Sequence, residues 1–283
     1  MVGSYYIVLI GWVARAFVSS WDEDAPWNNP GLTGEEATNY FYNQIIGMDT
    51  VTSSDLKPTR IVGLNVAYTA LVYVVIFVVA ASGLKVTGRV TYVTMGLPFV
   101  LLFVFLGRAV TLPGAREGVN AYIGVWDLSI LRSRREVWSV ACSQVFFSNS
   151  LTFGILTSYG SHCKRDEPVV RNSVIVVALN SVYSIITGFA VFSALGHLAF
   201  IEGVAVTDLP YAGFSLVFGT WPVVLATLPG GIHWVRLLFF NLFLLGIDSA
   251  FAFVECKSER STLLFHKLLL LAVRNSTNLN QPI

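Results

Sequence analysis

Residues 61–82 contain no charged side chain, and no other feature of the chain limits its fold so tightly. The hydrocarbon of a bilayer is about 30 Å thick and takes roughly 20 apolar residues of helix to cross. No water reaches that layer, so each backbone N–H and C=O must be satisfied within the segment, and a lone segment can do this only as a helix. Residues 90–110, 137–161, 173–200 and 232–255 read as further spans, and residues 2–20 form a shorter apolar run. Charged residues make up 12% of the chain and hydrophobic ones 54%, where a soluble domain carries about 25% charged. The expected fold is all-α: a polytopic membrane protein of about six helices, with residues 1–256 as one membrane core. Residues 257–283 are expected to form a divergent, disordered tail.

The connections follow from turn chemistry and charge. Residues 21–60 are polar and turn-rich, and Thr33 followed by Glu36 has the spacing of a helix capping box. A short link at 83–89 makes the second and third spans an antiparallel pair, and Pro113 with Gly114 stops the third. Residues 116–136, with Trp126 and several arginines, suit a short interfacial helix. Residues 214–228 are apolar but bounded by Pro210, Pro222 and Pro229, which favours a segment that dips into a vestibule over one that spans. Lys and Arg are densest in the links after the second and fourth spans, which places those links on the cytoplasmic side. A formal charge of +1, with no basic stripe, argues against a nucleic-acid partner. Cys142, Cys163 and Cys256 have no CxxC spacing, so neither a disulfide framework nor a metal cluster is indicated.

The fourth span is interrupted. Its stretch 144–154 (QVFFSNSLTFG) sets small polar residues inside an apolar run, and Ser148 to Thr152 is read as a break in the helix. Such a break is tolerated at membrane depth only where protein buries it or it lines a wet cavity. It exposes N–H groups at one stump and C=O groups at the other. The alternative is a continuous helix whose Ser and Asn side chains bond back to the preceding turn. In the fifth span Asn180, Ser181, Ser184 and Thr187 recur at near-helical spacing, giving one polar face. In the last span Asp248 lies near the bilayer centre, where an ionisable residue is a functional-site hypothesis in its own right. An aspartyl intramembrane protease would need a second mid-span acid to share protons with it, and none is placed for the task. The chain is read as no enzyme.

Several stretches together resemble the sodium- and chloride-dependent neurotransmitter and amino-acid symporter family. They are SYY at 4–6, RAVTLPGA at 108–115, VW at 137–138, QVFFS at 144–148, FG at 153–154, NS at 180–181, GFAVFSALG at 188–196 and LGIDS at 245–249. Their order and spacing match the third to eighth of that family's twelve spans, over about residues 2–255. The resemblance implies part of an inverted-repeat symporter fold, with a first sodium site using Ser148 and Asn180. It implies a second from the Leu245 carbonyl with Asp248 and Ser249. Hard oxygen ligands of this kind suit a hard cation. Chloride is implied beside the first sodium, held by Gln144, Ser148 and Ser184. The implied substrate pocket is lined by Val2, Tyr6, Phe147, Ser150, Phe153, Ser249 and Phe253, with the Tyr6 hydroxyl donating to a carboxylate and Phe147 as lid. His162 stands where the family has Tyr on the cytoplasmic side.

The function so implied is sodium- and chloride-coupled symport of an amino acid or related small zwitterion, in the plasma membrane and without an organic cofactor. Taken singly, each Ser fits a back-bonded helix position as well as a ligand. The rival reading is a truncated membrane protein that does not transport and associates with full-length relatives. On the resemblance the chain as written is expected not to transport by itself, since the family's first span supplies the other half of both sodium sites.

Overall fold

The structure is a computed structural model that describes residues 2–29, 31–48, 61–126, 128–151, 153–161, 163–209 and 213–278. Side chains are described except at positions 2, 4, 84 and 85 and beyond 256. Among the described residues every regular element is helical. Four helices are long and apolar enough to cross a membrane: Gly63–Ala81, Val86–Val110, Val169–Glu202 and Gly231–Cys256. The expected all-α membrane architecture is borne out.

In chain order the α-helices are α1 (Val2–Ser19), α2 (Gly34–Tyr40), α3 (Gly63–Ala81), α4 (Leu84–Val110), α5 (Ala115–Val119) and α6 (Ser129–Ser133). They continue with α7 (Arg135–Ser148), α8 (Ile155–Ser161), α9 (Val169–Glu202), α10 (Trp221–Ala226) and α11 (Gly231–Asn278). Helix α1 packs against α3 and α11, and α11 also packs against α4. The seam is a cluster of Ile7 and Ile10 from α1, Val72 and Ile76 from α3, and Ile247, Ala250 and Phe251 from α11. Close approach of α1 and α3 is possible because Gly11 carries no side chain: a Cβ there would lie 2.7 Å from the Thr69 hydroxyl.

A second core joins the membrane helices to the long loops. Thr33 and Glu36 form the reciprocal capping box that starts α2, as their spacing implied. Phe41, just after α2, stacks on Phe218 with ring centroids 3.8 Å apart, and Phe218 in turn meets Phe239 of α11. The 214–228 segment does not span. It becomes a π-turn (Leu216–Thr220) and the buried α10, packed on α11. Arg236 closes this end of the molecule. Its Nε and Nη2 each donate to the Ser20 carbonyl at 3.1 Å, while its guanidinium lies 4.0 Å from the Trp21 ring centroid. A cation held this way keeps its charge paired to a carbonyl dipole and an aromatic face.

The fourth span is broken, as the polar stretch indicated, and the continuous back-bonded alternative is overturned. Helix α7 stops at Ser148 and α8 begins at Ile155. Between them Ser150 has φ 56° and Gly154 φ 77°, left-handed conformations no α-helix contains. Thr152 and His162 lie outside the described residues.

Three boundaries differ from the sequence reading. The link at 83–89 shrinks to a turn at Gly83 (φ 88°), because α4 already starts at Leu84 and carries Arg89 within it. Charge marks where hydrocarbon ends, not where helix ends. The expected interfacial helix over 116–136 is instead α5, a π-turn (Asn120–Gly124) and α6. The tail expected to be disordered is helical through Asn278 as a continuation of α11. Residues 257–278 hold no Gly or Pro and are rich in Leu, Lys, Arg and Ser, so nothing local terminates the helix after Glu255.

Helices α5 and α9 meet where Gly118 faces the Phe192 carbonyl, and a Cβ on Gly118 would overlap that backbone atom. Gly118→Ala is therefore expected to lose on the order of 1–3 kcal/mol through overpacking. Gly107→Ala, with open space around it, should lose nothing. Melting of the detergent-purified variants measures both.

Candidate ion and substrate site

A cavity of about 1320 Å³ lies between α1, α4, the break after α7 and α11. Each wall follows from a local feature. From α1 comes Tyr6, one turn from the buried Ile10 seam. From the break come Phe147, Ser148, Ser150 and Phe153, and from α11 Asp248, Ser249 and Phe253. Eight residues singled out in the sequence thus line one space. Four are aromatic and touch in series: Tyr6 and Phe253 at 5.7 Å, Phe253 and Phe153 at 5.6 Å, Phe153 and Phe147 at 5.5 Å, all edge to face. Phe147, at the end of this series, is 57% exposed.

The polar groups are paired within the protein. Asn180 Nδ2 donates to Ser148 Oγ at 2.7 Å, which ties the broken helix to α9. Tyr6 and Ser249 line the same wall of the cavity, and Ser249 Oγ donates to the Leu245 carbonyl at 3.2 Å. Asp248 Oδ1 accepts from Thr94 Oγ1 of α4 at 2.6 Å, the short distance of a hydroxyl bonded to a carboxylate. At the far end Cys256 Sγ is 3.6 Å from the Phe153 carbonyl, and Tyr159 and Glu255 complete the lining.

The structure assembles the implied groups unevenly. Ser148 meets Asn180, and Leu245, Asp248 and Ser249 share one turn of α11. Gln144 sits one helical turn before Ser148 on α7 and Ser184 one turn after Asn180 on α9. Both are exposed, and the Ser184 hydroxyl donates to the Asn180 carbonyl at 2.9 Å. The side chain of Val2 lies outside the described ones. Thr94 was not singled out from the sequence. The signal was present: Thr87, Thr91 and Thr94 recur on one face of α4. Threonine in an apolar span is, however, easily read as filler.

A broken helix thus faces an acid-bearing span across a polar-edged cavity, beside helices long and apolar enough to cross a membrane. Residues 32–269 match the model of the sodium:neurotransmitter symporter family, and the chain belongs to that family. It is 36% identical over 211 residues to the human sodium- and chloride-dependent neutral and basic amino acid transporter B(0+), a match covering 73% of this chain and 33% of that protein. It is 30% identical over 280 residues to the rat sodium- and chloride-dependent GABA transporter 2 (90% of this chain, 45% of that protein). To the bovine sodium-dependent dopamine transporter it is 31% identical over 278 residues (90% and 40%). The chain thus spans less than half the length of these relatives.

The Ser148–Asn180 bond is the one direct side-chain link described between the break and α9. A double-mutant cycle of Ser148→Ala and Asn180→Ala, read by melting in nanodiscs, should give a coupling of about 0.5–1.5 kcal/mol. Additive losses would mean that the two side chains do not interact.

Proposed function

We propose that this chain carries the central part of a symporter that moves an amino acid or related small zwitterion with sodium and chloride across the plasma membrane. The observation that supports this most is the single cavity that brings Asp248, the main chain freed at the break and four aromatic rings together. Asp248 supplies the negative charge a cation needs, and Ser249 and the Leu245 carbonyl supply neutral oxygens on the same turn. These three would hold one sodium. Ser148 and Asn180, already 2.7 Å apart, would hold the other.

Chloride is assigned to Gln144, Ser148 and Ser184. Their donors are neutral, and no acid stands beside them in sequence. A carboxylate there would offset the sodium charge and make the halide unnecessary. The substrate carboxylate is assigned to the Tyr6 hydroxyl, with Val2, Ser150 and Ser249 around the backbone of the amino acid. Phe153 and Phe253 narrow one end of the pocket, which favours small to medium side chains. Phe147, the exposed ring, has room to swing over the bound molecule as a lid.

The test uses the chain completed to the length of its relatives and expressed in cells. Radiolabelled amino-acid uptake should require sodium and fall about tenfold or more when chloride is replaced by gluconate, a loss of ~1.4 kcal/mol of coupling per decade. Asp248→Ala should abolish uptake while leaving the protein at the surface. Uptake that persists unchanged in gluconate would remove chloride from the mechanism.

A further inference from the structure

We propose that Thr94 is a positioning residue for Asp248, its hydroxyl holding one carboxylate oxygen so that the other is presented to the cavity as a sodium ligand. This rests on the sodium reading given above. Thr94 is only 6% exposed and sits on α4 where that helix packs against α11. Its hydroxyl has three acceptors in range: Asp248 Oδ1 at 2.6 Å, the Val90 carbonyl at 3.2 Å and the Thr91 carbonyl at 3.4 Å. A hydroxyl has one proton to donate. The carboxylate is both the nearest acceptor and the charged one, so it takes that proton.

The carboxylate has two oxygens, and an ion at the cavity wall needs one of them in a fixed direction. With Oδ1 bonded to α4, rotation about the Asp248 side chain is restrained, and the other oxygen is left to serve the cavity that Asp248 lines together with Tyr6 and Ser249. Threonine suits the task because its branched Cβ leaves few rotamers, and those it keeps in a helix place the hydroxyl near the turn before it. When Asp248 turns away, the Val90 carbonyl is there to accept the same proton. The hydroxyl is therefore never left buried and unpaired in either arrangement, which removes a penalty that would otherwise oppose movement of the acid.

The experiment compares Thr94→Val, Thr94→Ala and Thr94→Ser in the completed protein, with surface expression measured for each. Valine keeps the shape and removes the donor, alanine removes both, and serine keeps the donor. The expected result is a sodium half-saturation raised about tenfold in the valine and alanine variants, with maximal uptake at saturating sodium within about twofold of wild type. Serine should stay within about twofold of wild type on both measures. The sodium concentration that raises the melting temperature of the purified protein should shift by the same factor, a readout that needs no transport. Wild-type sodium dependence in the valine and alanine variants overturns the proposal, as does a serine variant as impaired as valine. A wild-type protein whose uptake and melting both ignore sodium overturns the sodium reading itself, and this proposal with it.

Discussion

Hydrocarbon offers no hydrogen bonds, and the candidate site is arranged around a break where the chain leaves backbone groups without helical partners. The break from Asn149 to Gly154 frees main-chain groups that an uninterrupted helix would have paired, each costing several kcal/mol if buried bare. Local bonds recover part of this. Leu151 N reaches the Phe146 carbonyl at 3.1 Å, Ser150 N the Phe147 carbonyl at 3.0 Å, and Asn149 Nδ2 the Val145 carbonyl at 2.9 Å. The rest of the covering comes from α11, which packs on α8 and brings Cys256 to the Phe153 carbonyl. Phe147, Ser148, Ser150 and Phe153, at and beside the break, line the cavity.

Helix α11 is accordingly the element on which the site depends. Near its start Arg236 and Phe239 fasten it to the end of α1 and to the loop core. Midway, Ile247, Ala250 and Phe251 press it against α1 and α3, while Asp248, on the same turns, points toward α4. A helix gripped on one face can present a charged residue on another without shifting under the load. The aromatic series from Tyr6 to Phe147 then carries the wall from the gripped face to the exposed ring.

Much of this was legible in the sequence because each feature has a short-range cause. Uncharged runs of sufficient length announce spans, and small polar residues with Gly154 announce a break, since Ser150 and Gly154 take positive φ. The capping box at Thr33 and Glu36 is likewise local. What escaped was set by distant partners or by missing stop signals. Helix ends at Leu84 and beyond Glu255 overran the expected boundaries because charge does not end a helix. Thr94 gained its meaning only from a residue 154 positions away. No pattern within α4 names that partner.

The hydroxyl geometry separates the two kinds of ion the site is proposed to hold. Ser249 and Ser184 both donate their protons to carbonyls of their own helices. A hydroxyl whose proton is spent still has lone pairs, so Ser249 can face a cation without leaving its bond to Leu245. An anion needs the proton itself. Ser184 must therefore release the Asn180 carbonyl before it can hold chloride. Asn180 faces the complementary demand: its amide now donates to Ser148, and a sodium between them requires the amide to turn so that its oxygen faces the ion. The two rearrangements concern different groups of Asn180: Ser184 is bonded to its main-chain carbonyl, while Ser148 is bonded to its side-chain amide. Each proposed ion at this end thus requires a local hydrogen bond to be exchanged, whereas the carboxylate of Asp248 is an acceptor and needs to release no proton of its own.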